Sequence, residues 1–180
     1  MANYRRNAVE GGCYFVTVNL ADRTSRWLTK NIELLRQSIA YVMQKHPFYI
    51  DAIVVLPDHI HAIWTLPEND ADYALRWRLI KTHFSRHITK TESKTEKISQ
   101  SRISKGERGI WQRRYWEHTI KDDRDFANHV DYIHINPVKH GYVNQATEWP
   151  HSSIHKYIAA GKLPIDWAGN KNAKLSVSHG

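Results

Sequence analysis

His59 and His61 stand two residues apart in the apolar stretch Leu56-Pro57-Asp58-His59-Ile60-His61-Ala62-Ile63-Trp64. Alternate side chains of a strand share a face, so the two imidazoles project to the same side, about 7 Å apart along the chain. Two imidazoles on one rigid surface, beside the acidic Asp58, make half of a divalent metal site. The other half is sought in residues 122–136. At 100° per residue, Phe126, Val130 and Ile133 form an apolar stripe there, and Asp125, His129, Tyr132 and Asn136 form a flank beside it. Tyr132 and Asn136 are one turn apart, so their Cβ atoms lie about 5–6 Å from each other. Two imidazoles and an amide oxygen leave open positions on an octahedral ion for water and a phosphate oxygen. The absence of thiolates favours Mg²⁺ or Mn²⁺ over structural zinc.

Such a constellation suits phosphoryl transfer. A phenol is mostly protonated at neutral pH and a poor nucleophile. A metal on the scissile phosphate withdraws charge from phosphorus, and nearby cations favour the phenolate. Attack by Tyr132 exchanges one phosphodiester for another and keeps the bond energy in a protein–DNA link, so rejoining needs no ATP. Tyr115, in the run Trp111-Gln112-Arg113-Arg114-Tyr115-Trp116-Glu117-His118, is the rival nucleophile. Its neighbour four residues on, Thr119, is a weaker ligand, and strand geometry would not bring the two together. His118 is the rival third ligand to Asn136, a better donor on a less regular element.

The elements that must position these groups follow from periodicity. Strands are expected over 14–20, 50–56, 59–66 and 110–120, the second a continuous apolar run and therefore central. Helices are expected over 30–46, ended by His46-Pro47, over 73–88, and over 122–136, ended by Asn136-Pro137 because the residue before proline leaves the helical region. In the histidine strand Ile60, Ala62, Trp64 and Leu66 share the face suited to a core, and His59, His61, Ile63 and Thr65 share the other. A short helix or turn should lie near 152–160. Residues 1–11 form a basic arm, 91–109 are polar and aperiodic like a mobile loop, and 168–180 have nothing to bury. The order predicts one α+β domain over 1–167: a ferredoxin-like antiparallel sheet with helices on one face and a catalytic helix against the other.

Composition narrows the partner. The 180 residues carry 26 Lys and Arg against 18 acids, a net charge of +8, which points to a polyanion, nucleic acid first. Seven Trp and nine Tyr supply surfaces on which unpaired bases stack. Between 76 and 114 there are twelve Lys or Arg and three acids, so Arg78, Lys81, Arg113 and Arg114 are expected phosphate contacts. Arg5 and Arg6 could enter a groove, as basic arms do. Lys139 and His140 could bind phosphate or cap their helix. The single cysteine, Cys13, excludes a disulfide framework and a Cys-based zinc site and reads as a buried small residue. No signal-peptide pattern and no membrane-length apolar run occur, so a cytoplasmic location is expected.

Read together, the chain resembles the REP-associated tyrosine transposases, single-tyrosine members of the HUH endonuclease superfamily. The matching text includes Gly11-Gly12 with Tyr14-Phe15-Val16-Thr17-Val18-Asn19, the histidine strand through Pro67, Trp116-Glu117-His118, and His129-Val130-Asp131-Tyr132-Ile133-His134-Ile135-Asn136-Pro137-Val138-Lys139-His140-Gly141. It closes with Trp149-Pro150-His151-Ser152-Ser153 and Pro164-Ile165-Asp166-Trp167. The resemblance implies His59 and His61 as the HUH pair, Tyr132 as nucleophile and Asn136 as third ligand, where the wider superfamily often has glutamine. It also implies cleavage of single-stranded DNA at palindromic-repeat hairpins through a 5′-phosphotyrosine intermediate, in bacteria, by a monomer or homodimer. Two other classes remain open on the residues: a catalytically silent hairpin-binding regulator of repeat DNA or RNA, and a ferredoxin-like RNA-binding module.

Overall fold

The computed structural model describes residues 8–88 and 100–167, without the side chains of Arg102 and Ile103. Arg5, Arg6, residues 91–99 of the polar segment and the tail lie outside the described residues. Four strands, β1 (Cys13–Asn19), β2 (Tyr49–Val55), β3 (His59–Thr65) and β4 (Trp116–Thr119), form one sheet in the order β2-β3-β1-β4, antiparallel throughout. The helices are α1 (Trp27–Lys30), α2 (Ile32–Lys45), α3 (Tyr73–His87), α4 (Gln100–Ile103), α5 (Asp123–Lys139) and α6 (Ile154–Ala159). This is the expected α+β, ferredoxin-like arrangement, except that β2, expected to be central from its continuous apolar run, is an edge strand.

Alternation along the strands divides the interior into two layers. Tyr14, Val16 and Val18 of the first strand, with Leu20 just beyond it, join Ile60, Ala62 and Trp64 of the third, with Leu66 just beyond it, against α2 and α3. Trp64 stacks on Trp77 of α3 with centroids 4.1 Å apart and planes 7° from parallel. On the opposite face Phe15, Ala52, Val54 and Ile63 meet Val130, Tyr132 and Ile133 of α5. Helices α2 and α3 therefore cover one face, and α5 covers the histidine face, with Trp149, and Tyr157 of α6, packed beside it. Fully burying Trp64, Trp77 and Phe84 supplies several kcal/mol of apolar transfer, at about 25 cal/mol per Å².

Two boundaries depart from expectation. The strand predicted over 110–120 shrinks to Trp116–Thr119, with a single bridge from Trp111 to Leu20. Lys81 donates to the Gln112 carbonyl at 2.7 Å, and Trp111 and Tyr115 turn into the α2/α3 layer, so this segment leaves the ladder. Within the polar 91–109 segment, α4 adds one helical turn.

The second departure matters for function: α5 passes through Pro137 and ends two residues later, at Lys139. Proline forfeits the bond to the Ile133 carbonyl, at a cost of about 3 kcal/mol in a helix interior. The true stop is Gly141, at φ +71°. Its N–H donates to the Val138 carbonyl at 3.0 Å, and Tyr142 N–H donates to the Pro137 carbonyl at 3.0 Å, the paired bonds of a Schellman cap. The added turn brings Lys139 and His140 onto the histidine face.

Candidate metal and nucleophile site

β1 sets the registry of the site. On one side it pairs Asn19 with His59, Thr17 with His61 and Phe15 with Ile63; on the other it pairs Thr17 with Trp116 and Phe15 with His118. Opposed residues share a face, so His59, His61, Trp116 and His118 all project toward α5. That helix begins at Asp122, whose carboxylate accepts from Asp125 N–H at 2.8 Å, and turns His129, Tyr132 and Asn136 inward, all buried.

Four expected residues come together. The His59 and His61 ring centroids are 4.8 Å apart, and the Tyr132 ring lies 5.2 Å from that of His61. His59 Nδ1 is 2.7 Å from Asp58 Oδ1 and His61 Nδ1 is 2.8 Å from Thr17 Oγ1. With each Nδ1 held by an oxygen, the nitrogen that each ring would offer an ion is Nε2, the arrangement by which outer partners fix ligand orientation. Asn136 hydrogen-bonds the Tyr132 hydroxyl through its side chain. Its Oδ1 is buried with no hydrogen-bond partner among the described residues. A buried amide oxygen left without a donor is costly, and an ion taking that lone pair removes the cost. The donor set fits a divalent cation.

Burial pushes the Tyr132 phenol above its ordinary value, partly offset by the Asn136 hydrogen bond. At neutral pH it is therefore protonated. Lys139 Nζ sits 4.9 Å from the centre of the Tyr132 ring, and the His140 ring lies 5.1 Å from that of His59. Both residues stand at the site, where a phosphate between the imidazoles and the phenol would meet them.

The surrounding shell was only partly legible. Burial raises the Asp58 carboxyl, but the hydrogen bond and charge of His59 and the Arg23 guanidinium more than offset this and hold it below the usual carboxylate range. Arg23 Nε donates to Asp58 Oδ2 at 2.6 Å and Arg23 also reaches Asn19 Oδ1. Asp58 is named by its place beside His59. Thr17 could have been found by aligning β1 with the histidine strand; Arg23 lies in an aperiodic loop and carries no sequence signal. Replacing the carboxylate by a neutral amide in Asp58→Asn weakens its hold on His59 Nδ1, and apparent Mn²⁺ affinity in cleavage titrations should fall about 10–100-fold.

Other expected residues lie elsewhere. Tyr115 packs against the α2/α3 layer, with Lys81 Nζ 5.9 Å from its ring, away from the histidine pair. Arg78, Lys81 and Arg113 line a cleft of about 560 Å³ between α3 and residues 105–115, joined by Arg86, Lys105 and Arg108. Arg114 is exposed nearby. Lys81 is tied to Gln112, and Arg113 to Glu107 at 3.1 Å, so Arg78 and Arg114 are the more available of the four. Cys13 is half-buried, and burial pushes its thiol up to about 11, which excludes a thiolate at neutral pH.

His118, the rival third ligand, belongs to a different cluster. Its Nε2 is 2.7 Å from Asp125 Oδ2, and His129 Nδ1 is 3.0 Å from Asp125 Oδ1. Potential ligand atoms of His118, Asp125 and His129 all lie within 4.8 Å of one another. Two strand spacings, about 10 Å, separate β4 from β3, and Phe15 fills the gap, its ring 5.7 Å from His61 and 4.7 Å from His129.

Comparison with known proteins decides the family: residues 10–136 match the family described as transposase IS200 like. The chain belongs to that family. An Escherichia coli REP-associated tyrosine transposase is 46% identical over 170 residues, covering 94% of this chain and 93% of its own. A Haemophilus influenzae protein is 47% identical over 175 residues, covering 97% of this chain and 98% of its own. A solved REP-associated tyrosine transposase bound to a REP hairpin superposes with a TM-score of 0.80 at 46% identity, covering 94% of this chain and 93% of that one. The chain is thus a tyrosine transposase of the REP-associated kind, and a divalent metal is in keeping with the family. Among the described residues no helix is long and apolar enough to cross a membrane.

Proposed function

We propose that this transposase cuts and rejoins single-stranded DNA at hairpins formed by repetitive extragenic palindromes, with Tyr132 as nucleophile and with Mg²⁺ or Mn²⁺ held by His59, His61 and Asn136. The observation that carries this reading is the meeting of the Tyr132 phenol, the histidine pair and the orphaned Asn136 oxygen in one buried face. When bound there, the cation supplies Lewis-acid polarisation of the scissile phosphate.

The residues divide the remaining work. Asp58 and Thr17 hold the two imidazoles in one tautomer and direction. Asn136 fixes the phenol oxygen, and the Lys139 ammonium favours its ionised form. Tyr132 Oη forms a bond to phosphorus as the bond from phosphorus to the 3′ oxygen breaks. The phenol proton is lost and the 3′ oxygen leaves as a hydroxyl after protonation. Reversal by another 3′ hydroxyl releases Tyr132 and seals the strand. Lys139 and His140 contact the reacting strand, and Arg78, Lys81, Arg113 and Arg114 contact the hairpin backbone, joined by Arg5 and Arg6 of the arm. The setting is the bacterial cytoplasm, on chromosomal repeats.

Labelled single-stranded repeat DNA incubated with the protein and Mg²⁺ or Mn²⁺ tests the reading. A covalent adduct mapped to Tyr132 by mass spectrometry is expected; tight hairpin binding with no adduct at any cation concentration would leave a binding protein instead. Phosphate contacts predict a further result. Arg78→Ala should weaken hairpin binding and make the slope of log affinity against log salt shallower by about 0.7–0.9, the share of one neutralised phosphate.

A further inference from the structure

The His118–Asp125–His129 cluster has no part in the chemistry above, yet its composition is that of a metal site. Asp125 and His129 are one turn apart on α5, where side chains four residues apart are neighbours. His118 reaches them from the adjoining strand through its pairing with Phe15. The three donors thus come from two consecutive elements, β4 and α5. His129 is buried, and His118 and Asp125 are a quarter or less exposed. The two imidazoles stack 4.8 Å apart with planes 14° from parallel, on either side of the same carboxylate. Asp125 is itself fixed by Lys121 N–H at 3.0 Å, so one ligand is already oriented from behind.

We propose that His118, Asp125 and His129 form a second, structural cation site of the zinc class, which ties β4 to the helix carrying Tyr132. Two imidazoles and one carboxylate are a three-protein-ligand set for tetrahedral Zn²⁺, with water in the fourth position. Ligand atoms on such an ion, at 2.0–2.2 Å from the metal, lie about 3.4 Å from one another. The observed separations bracket that value: 2.7 and 3.0 Å from the imidazoles to Asp125, and a ceiling of 4.8 Å for the set. His118 Nε2 pairs with Asp125 Oδ2, and His129 Nδ1 is shared between the Asp125 main-chain carbonyl at 2.8 Å and its Oδ1 at 3.0 Å; a cation would replace the ring hydrogens that face the carboxylate. Nitrogen donors set this site apart from the oxygen-rich surroundings that Mg²⁺ prefers.

The role follows from distance. Two ions that share one phosphate stand about 3.5–4 Å apart, whereas two strand spacings separate this cluster from the histidine pair. The second ion is not a catalytic partner. Strand β4 has four residues and is an edge of the sheet, so a cross-link to α5 fixes the one element that flanks the nucleophile's helix on that side.

Equilibrium dialysis of the full chain against Zn²⁺, followed by elemental analysis, reads the stoichiometry. The wild type should take two equivalents, and a variant lacking the catalytic pair (His59→Ala with His61→Ala) should keep one. Adding His118→Ala or the near-isosteric Asp125→Asn to that variant should abolish the last equivalent. Co²⁺ in the His59→Ala, His61→Ala variant should give the intense visible bands of a tetrahedral ion and raise the thermal midpoint, and both effects should vanish with His118→Ala. Circular dichroism on each variant identifies a failure to fold, and the Asp125→Asn arm then decides. One equivalent in the wild type and none once the catalytic pair is removed would overturn the proposal. So would cobalt bands indifferent to His118→Ala and Asp125→Asn.

Discussion

Tyr132→Phe should eliminate the covalent protein–DNA product and lower strand cleavage by about 10⁴-fold or more, because among the described residues no second tyrosine stands in the site. Hairpin affinity should be nearly unchanged. The ring of Tyr132 packs in the layer under the sheet beside Phe15, and phenylalanine refills that volume, so only the hydroxyl and its bond to Asn136 are lost. Tyr115→Phe is the control: its ring lies in the opposite layer, and cleavage should persist. The wild-type pH profile adds an independent check. Burial raises the Tyr132 phenol above its ordinary value, so the reactive phenolate is a minor form at neutral pH. Cleavage at saturating cation should therefore climb as pH rises toward that shifted value, close to tenfold per pH unit where ionisation limits the rate. Gel analysis of labelled DNA measures both the adduct and the rate. An adduct that survives in Tyr132→Phe, or a rate that falls as pH rises, would place the nucleophile elsewhere.

Period-two and helical patterns encode this arrangement in the sequence itself. The alternation Ile60, Ala62, Trp64 against His59, His61, Ile63 assigns faces outright, because a one-residue slip would bury both histidines in the α2/α3 layer. The Tyr132–Asn136 spacing likewise survives any shift in helix ends, since four residues close one turn wherever the helix starts. The end of α5 was less legible. Pro137 is a local stop signal, and Gly141 with its two cap bonds overrides it because the added turn gains contacts for Lys139 and His140. Nor could sequence assign His118. Its pairing with Phe15 depends on where β4 begins, and the strand starts only after Tyr115 has turned into the other layer. Loop partners such as Arg23 have no periodic signature, so they emerge only from tertiary placement.

His59→Ala should abolish metal-dependent cleavage at cation concentrations that saturate the wild type. The loss should be on the order of 10³-fold, the several kcal/mol that a positioned Lewis acid contributes to phosphoryl transfer. The variant removes one of two imidazole donors and also strands Asp58, whose buried carboxylate then keeps only the Arg23 guanidinium. Part of any observed defect could therefore arise from repacking rather than from the ion. His59→Asn separates the two, since a shorter polar side chain can still meet Asp58 while lacking the imidazole reach. Both variants should bind the hairpin with nearly wild-type affinity, because the expected backbone contacts at Arg78 and Arg114 lie outside this face. Raising Mn²⁺ should restore part of the activity if the remaining His61 and Asn136 still hold an ion weakly. Wild-type rates in His59→Ala, or undiminished cleavage by the native chain in excess chelator, would mean that phosphorus is activated without an ion between these imidazoles. The orphaned Asn136 oxygen would then need another partner, and the ammonium of Lys139, 4.9 Å from the centre of the Tyr132 ring, could supply it.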